Sequence, residues 1–88
     1  MPIEHRVLDA VSELGEVSKE VLKMSNYGRT ELKPNTAITS ELGDLLYSII
    51  GIANHFDIAL DDALEDVLTK YQKRIAKIGD VGSGKHLI

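Results

Sequence analysis

Residues 37–56 read Ala37-Ile-Thr-Ser-Glu41-Leu-Gly-Asp44-Leu-Leu-Tyr-Ser-Ile-Ile-Gly-Ile-Ala-Asn-His-Phe56. Apolar side chains recur in this segment at steps of three and four residues, as they do on a helix, and they cover most of its circumference. A helix with so wide an apolar arc is expected to be covered on most sides. The segment therefore predicts a helix at the centre of an all-α bundle. The arc comprises Ile38, Leu42, Leu45, Leu46, Ile49, Ile50, Ile52, Ala53 and Phe56.

This helix carries an acidic pair whose pattern also occurs earlier in the chain. Glu41-Leu-Gly-Asp44 repeats the pattern of Glu13-Leu-Gly-Glu16. Residues three apart lie on one face of a helix about one turn apart, so each pair points two carboxylates in one direction. If the two helices pack together, four carboxylates converge and need a compensating cation. Mg²⁺ and Mn²⁺, which prefer hard oxygen ligands, are the expected cations.

The alternative interpretation of these acids is a solvated surface, which is the better interpretation of any single acid-x-x-acid pair. Two pairs with matching Leu-Gly interiors in neighbouring helices favour a metal site instead. Gly15 and Gly43 support this hypothesis, because each lowers helix stability by about 1 kcal/mol relative to alanine. Their position beside the carboxylates predicts close helix approach or room for a ligand.

The remaining sequence predicts two further helices and no strand. Apolar spacing places the first helix over residues 3–24, and a third is expected over residues 60–77. The fold class is therefore all-α with three helices. We expect one helical domain over residues 1–78 and a mobile Gly-rich C-terminal tail over residues 79–88.

The loop before the central helix contains its own start and stop signals. Gly28 suits a left-handed turn at the end of the first helix. Pro34 prevents a helix from running through the loop, and Asn35 or Thr36 can cap the helix that follows.

Composition limits the possible functions. The chain has 88 residues, no cysteine and a net charge of −4, which excludes thiolate chemistry and argues against a nucleic-acid partner. Residues 45–56 are too short an apolar run to span a membrane, and the first residues lack the features of a signal peptide. A cytoplasmic location is the default expectation. So small a chain is near the lower limit for a self-sufficient core, which favours oligomerisation.

A basic stripe lies near the end of the third predicted helix. Lys70, Lys73, Arg74 and Lys77 follow helical spacing. The alternative interpretation is an ordinary solvated face. The functional interpretation is phosphate binding, with lysine as a point charge and arginine as a bidentate fork. A metal held by the acids and phosphates held by these cations would together form a site for a metal-polyphosphate substrate.

Two other features do not indicate a functional site. Residues 79–85, Gly-Asp-Val-Gly-Ser-Gly-Lys, match most of a P-loop, but His86 replaces the Ser or Thr that binds Mg²⁺, and a helix rather than a strand precedes them. His55 lies about 21 Å from Glu41 along the helix axis, by the helical rise, which is too far to share one metal ion.

The acidic pairs, the Leu-Leu-Tyr that follows Asp44, and residues 57–64 together resemble the MazG-like nucleotide pyrophosphohydrolases of the all-α NTP pyrophosphatase superfamily. The resemblance extends from about Val7 to Ile75. It implies Mg²⁺-dependent hydrolysis of a nucleoside triphosphate to a monophosphate and pyrophosphate. It also implies that the metal ligands are Glu13, Glu16, Glu41 and Asp44, and that Lys70 and Arg74 contact phosphate.

The chain departs from the family pattern at two positions. Ser12 replaces the first of two consecutive glutamates, a loss for which Glu20 is a candidate to compensate, and Tyr71 replaces an asparagine. A three-helix subunit also leaves the central helix uncovered. We therefore expect a homodimer or homotetramer that completes four-helix bundles.

Two other hypotheses remain open. The first keeps the fold and changes the substrate, as in phosphoribosyl-ATP pyrophosphohydrolase, although the Leu-Gly between Glu41 and Asp44 favours the MazG-like side. The second is a helical oligomerisation module without catalytic activity. Alanine at Glu41 separates an enzyme from such a module, because an enzyme loses turnover while keeping its fold.

Overall fold

The computed structural model of the chain describes residues 1–78. It contains three helices, α1 (Ile3–Met24), α2 (Ala37–His55) and α3 (Leu60–Ile78), and residues 1–78 include no strand. The all-α, three-helix prediction is confirmed. The predicted first helix is matched at both ends, while α2 ends one residue earlier and α3 one residue later than expected. The P-loop-like run and the tail at 79–88 lie outside the described residues, so the domain boundary at 78 stays a prediction.

The turn after α1 depends on consecutive left-handed residues. Asn26, Tyr27 and Gly28 have φ values of 47°, 59° and 86°. The Tyr27 N–H donates to the Leu22 carbonyl at 2.8 Å, and the Gly28 N–H donates to Ser25 Oγ at 3.0 Å. Gly28 adopts the conformation expected from the sequence, and it has two non-glycine neighbours in the same region of φ.

The start of α2 is capped by the side chain of Asn35, which lies two residues before the helix begins. The Ile38 N–H donates to Asn35 Oδ1 at 3.3 Å, whereas Thr36 makes no capping hydrogen bond through its side chain. Of the two capping candidates in the sequence, Asn35 is therefore the one used. Such a cap stabilises a helix by about 1 kcal/mol. At the other end, Asp57 takes a φ of 54° and stops α2.

Helices α1 and α2 pack against each other in antiparallel directions. Glu20, near the end of α1, bonds to Asn35 before α2, while Arg6, near the start of α1, lies against Gly51 in the second half of α2. Half-buried positions recur every three or four residues and mark the α1–α2 seam. The seam comprises Ile3, Arg6, Ala10, Glu13, Val17, Glu20 and Met24 of α1, and Ile38, Glu41, Leu45, Ser48, Gly51 and Ile52 of α2.

The apolar stripe of α1 is displaced from this seam by one residue position, which is about 100° around a helix. Its members are exposed by 40–64% of their surface: Val7, Leu8, Val11, Leu14, Val21 and Leu22. Within residues 1–78 the one fully buried apolar residue is Ala53, which is 4% exposed. The expectation that α2 is covered on most sides is therefore not met within the described part of a single chain, where Leu42, Leu46 and Tyr47 are exposed.

The chain divides into two units after Asp57, with α1 and α2 in the first and α3 in the second. In α3, Asp61 and Asp62 occupy the first turn and Lys77 the last. Both placements complement the helix dipole. Among residues 1–78, no helix combines the length and the apolar character that a membrane crossing requires.

Candidate metal centre

The seam of the first unit contains charged residues at positions where apolar side chains are usual. On α1, Glu13 is half-buried in the seam, whereas Glu16, one turn further along, is exposed. On α2, Glu41 is half-buried and Asp44 is exposed. Each acidic pair therefore has one member in the seam and one at its edge. This follows from the three-residue spacing, which rotates the second member by about 60° from the first.

Three of these carboxylates converge. One carboxylate oxygen from each of Glu13, Glu41 and Asp44 lies within 4.8 Å of the other two. Oxygens on opposite sides of one Mg²⁺ lie about 4.2 Å apart, because each bond is about 2.1 Å long. Small side-chain rotations are therefore enough to let the three residues share an ion. An all-carboxylate donor set suits a hard divalent cation.

The neighbouring acids affect the ionisation of Glu41. The pKa of Glu41 is raised above its usual value, first by partial burial and then by the negative charges of Glu16, Asp44, Glu13 and Glu20. The charged form of Glu41 is therefore disfavoured in the absence of a cation. A divalent cation bound between these carboxylates would remove the cause of the repulsion.

Glu16 lies outside the group of three, although it is the acid whose charge raises the pKa of Glu41 most. Its charge is therefore close to the centre even though its oxygens are not within the shared 4.8 Å. Because Glu16 is exposed, its side chain can change rotamer without displacing packed neighbours. The role of Glu16 as a metal ligand remains a prediction.

Glu20 lies outside the group of three carboxylates and makes polar contacts of its own. Its Oε1 accepts a hydrogen bond from Asn35 Nδ2 at 3.4 Å, and its Oε2 lies 3.8 Å from Lys23 Nζ. The side chain is only 15% exposed. This contact joins the end of α1 to the residue that caps α2, which helps to set the register in which Glu13 faces Glu41. The signal in the sequence was the continuation of the acidic spacing to Glu20, together with the capping residue Asn35.

The basic residues predicted to bind phosphate belong to the second unit. Lys70, Lys73 and Arg74 are exposed on α3. The Arg74 guanidinium carbon lies 5.3 Å from the centre of the Tyr71 ring, within the range of a cation–π contact. Tyr71 thus has a local partner, which is one physical role for the residue that departs from the family pattern. Phosphate contact by the three cations remains a prediction.

Comparison with known proteins adds an independent result. A model of the MazG nucleotide pyrophosphohydrolase domain matches residues 4–78, a range that includes nearly all of α1 and the whole of α2 and α3. The uncharacterized protein YpjD of Bacillus subtilis strain 168 is 34% identical over 65 residues. That alignment covers 70% of this chain and 57% of YpjD, so the chain spans little more than half the length of that relative. No solved structure gives a significant match.

Proposed function

Because the chain belongs to the MazG nucleotide pyrophosphohydrolase family, we propose that it is a Mg²⁺-dependent enzyme that hydrolyses nucleoside triphosphates to the monophosphate and pyrophosphate. The observation that supports this most is the convergence of Glu13, Glu41 and Asp44 within 4.8 Å. Enzymes of this family generally depend on a divalent metal. The proposed role is house-cleaning, the removal of NTPs or dNTPs from the nucleotide pool.

The acidic residues are proposed to bind the metal ion and to orient the attacking water. Glu13, Glu41 and Asp44 hold Mg²⁺, or Mn²⁺ in its place, and Glu16 joins them as a fourth ligand by a change of rotamer. An ion held by these residues would supply Lewis-acid stabilisation of the phosphoryl oxygens and would activate water. A carboxylate oxygen not used in metal binding accepts a hydrogen bond from the attacking water and so directs it in line with the bond that breaks.

Lys70, Lys73 and Arg74 are proposed to neutralise the phosphate groups of the substrate. Each is exposed and therefore free to reorient toward a ligand. The guanidinium of Arg74 can bind two phosphate oxygens at once, whereas the lysines act as point charges.

The enzyme is proposed to act as a homodimer or homotetramer in which α1–α2 pairs from different chains complete four-helix bundles. The support is the exposed apolar stripe of α1, displaced from the seam, in a chain with one fully buried apolar residue among residues 1–78. A bundle would bury this stripe, at about 25 cal/mol for each Å² removed from water. Light scattering should give a mass of at least two chains at micromolar concentration. A monomer there would overturn this part of the proposal.

The proposed partners are a nucleoside triphosphate and further copies of the chain. The net charge of −4 is unfavourable for binding a nucleic-acid backbone. A cytoplasmic location is proposed because the proposed substrates, NTPs or dNTPs, belong to the nucleotide pool of the cell.

The direct test is release of pyrophosphate from the eight standard NTPs and dNTPs in the presence of Mg²⁺, with Mn²⁺ and metal-free reactions in parallel. We expect activity that requires the divalent ion and that is lost in Glu41→Ala, with circular dichroism unchanged. Absence of activity with all eight substrates and both metals would contradict the proposal. Turnover of phosphoribosyl-ATP alone would assign the related histidine-synthesis reaction, and no turnover at all would favour the non-catalytic oligomer.

A further inference from the structure

A cleft opens at the end of the α1–α2 pair that is remote from the capped loop. Its volume is about 370 Å³, which is within the usual range of small-molecule sites, roughly 300–1,000 Å³. Its polar lining comes from Arg6 of α1 and from Tyr47, Asn54 and His55 of α2. No acidic residue lines it within the described part of the chain. The cleft is therefore rich in hydrogen-bond donors and carries a fixed positive charge.

Arg6 is the residue around which this cleft is built. A Cβ atom at Gly51 would lie 2.9 Å from Arg6 Nη1, so the absence of a side chain at Gly51 lets the guanidinium rest on α2. Arg6 is half-buried, yet among residues 1–78 its guanidinium makes no hydrogen bond or ion pair. Asp9 lines the adjoining cleft without pairing with it. Five N–H donors are thus held in place without an acceptor from these residues.

The cleft lies on the same seam as the metal centre. Arg6 precedes Glu13 by seven residues, and Gly51 follows Asp44 by seven, which is about 10.5 Å along each helix axis. A smaller adjoining cleft of about 200 Å³ is lined by Arg6, Tyr47 and Ser48, among others. Because Ser48 lies one helical turn from Asp44, this smaller cleft leads from Arg6 toward the acids. A chain of phosphates held by a metal at the acids can extend toward Arg6.

We propose that the Arg6 cleft binds the phosphate oxygens of the substrate that lie farthest from the metal centre, the part that leaves as pyrophosphate. The identity of this substrate rests on the proposed nucleotide hydrolysis. The planar fork of Arg6 matches two oxygens of one phosphate. Tyr47 and Asn54 supply further donors. A nucleobase fits this cleft less well, because an uncharged base offers no negative charge to the Arg6 guanidinium.

Binding of inorganic tripolyphosphate with Mg²⁺, measured by isothermal titration calorimetry on the full chain, tests the proposal without turnover. Arg6→Gln keeps a polar side chain of similar length and removes the charge. We expect it to weaken binding about tenfold, from the loss of charge-assisted hydrogen bonds. Arg6→Lys should recover part of this affinity. Arg29→Gln, which removes an exposed charge in the loop, is the matched control and should bind as the unaltered protein does.

Gly51→Ala provides a second test that does not change any charge. The added methyl group displaces the guanidinium, while alanine has a higher helix propensity than glycine. We expect weaker tripolyphosphate binding in a protein at least as stable as the original, and this variant decides the matter if Arg6→Gln fails to fold. Affinity within twofold of the original in the folded variants, or an equal loss in Arg29→Gln, would overturn the proposal.

Turnover separates this proposal from the proposed function. If pyrophosphate is released from nucleotides and Arg6→Gln binds tripolyphosphate normally, the enzyme assignment holds and the Arg6 cleft is not a phosphate site. If no nucleotide is hydrolysed but tripolyphosphate binding depends on Arg6, the phosphate site holds and the enzyme assignment fails.

Discussion

The two acidic pairs have the same pattern in the sequence and different positions in the structure. Glu41 and Asp44 both enter the group of three converging carboxylates, whereas the earlier pair contributes Glu13 and not Glu16. Both pairs place their first member in the seam and their second at its edge, yet of the two edge residues Asp44 reaches the group of three and Glu16 does not. A repeated motif thus fixes which carboxylates are neighbours on a helix, while helix packing selects those that share a site.

The largest effect is expected from Glu41, the acid whose pKa is raised by its burial and by the charges of the neighbouring acids. Glu41→Gln should lower kcat/KM for the best nucleotide more than 100-fold, because loss of residues that merely support metal ligands already costs about 10- to 100-fold. Glu31→Gln, an exposed acid in the loop, is the matched control and should keep full activity. Steady-state pyrophosphate release measures both. Equal activity of the two variants would remove Glu41 from the metal centre.

The contrast within the first pair is sharpened by comparing Glu13→Gln with Glu16→Gln. Because Glu13 is already in the group and Glu16 has to change rotamer to join it, we expect Glu13→Gln to weaken Mg²⁺ binding about tenfold more than Glu16→Gln does. Titration of each variant with Mg²⁺, followed by calorimetry, gives the two affinities. An equal loss in both would show that Glu16 is a full ligand when metal is bound.

The glycines inside the two pairs should respond alike. Among residues 1–78, a Cβ atom at Gly15 or Gly43 would meet no atom of another element within 4 Å, so close approach of helices in this part of the chain does not explain either glycine. Gly15→Ala and Gly43→Ala should each raise the free energy of unfolding of the metal-free protein by up to about 1 kcal/mol. Urea denaturation measures this. A lower stability in either variant would place another copy of the chain against that glycine.

The smallest effect is the pH dependence that Glu41 gives to the metal-free protein. Its folded-state pKa is raised, so the folded protein binds more protons than the unfolded chain between the unfolded and folded pKa values of this group. Glu41 therefore favours folding at pH values below its unfolded-state pKa, and this contribution is lost as pH rises through its folded-state pKa. The midpoint temperature of thermal unfolding should depend less on pH across this range in Glu41→Gln than in the unaltered protein. An unchanged slope would assign the pH dependence to other acids.

Much of the fold was predictable because its signals are local. The 3.6-residue periodicity, Pro34 and the capping candidates Asn35 and Thr36 predicted all three helices to within one residue at each end. Hydrogen bonds within a helix connect residues four apart, so nearby sequence contains most of the information for them. The site was predictable to the level of candidates: three of four acids converge, and the spacing alone did not separate Glu16 from the rest.

Other features depend on the rotation of α1 about its own axis relative to α2. The sequence did not indicate Arg6 as a candidate, because its half-burial depends on the open surface of Gly51, which is 45 residues away. The sequence also did not indicate that the apolar stripe of α1 faces away from α2. Both facts depend on helix rotation, which is set by contacts between residues distant in sequence.

The sequence by itself determined three helices, their ends, the two acidic pairs and the resemblance to a hydrolase family that the match over residues 4–78 confirms. The tertiary structure decided which carboxylates meet, that Arg6 lies on the same seam, and which apolar surface remains exposed. The physical reason is that helix formation is governed by neighbours along the chain, whereas the convergence of side chains is governed by the register and rotation of one helix on another.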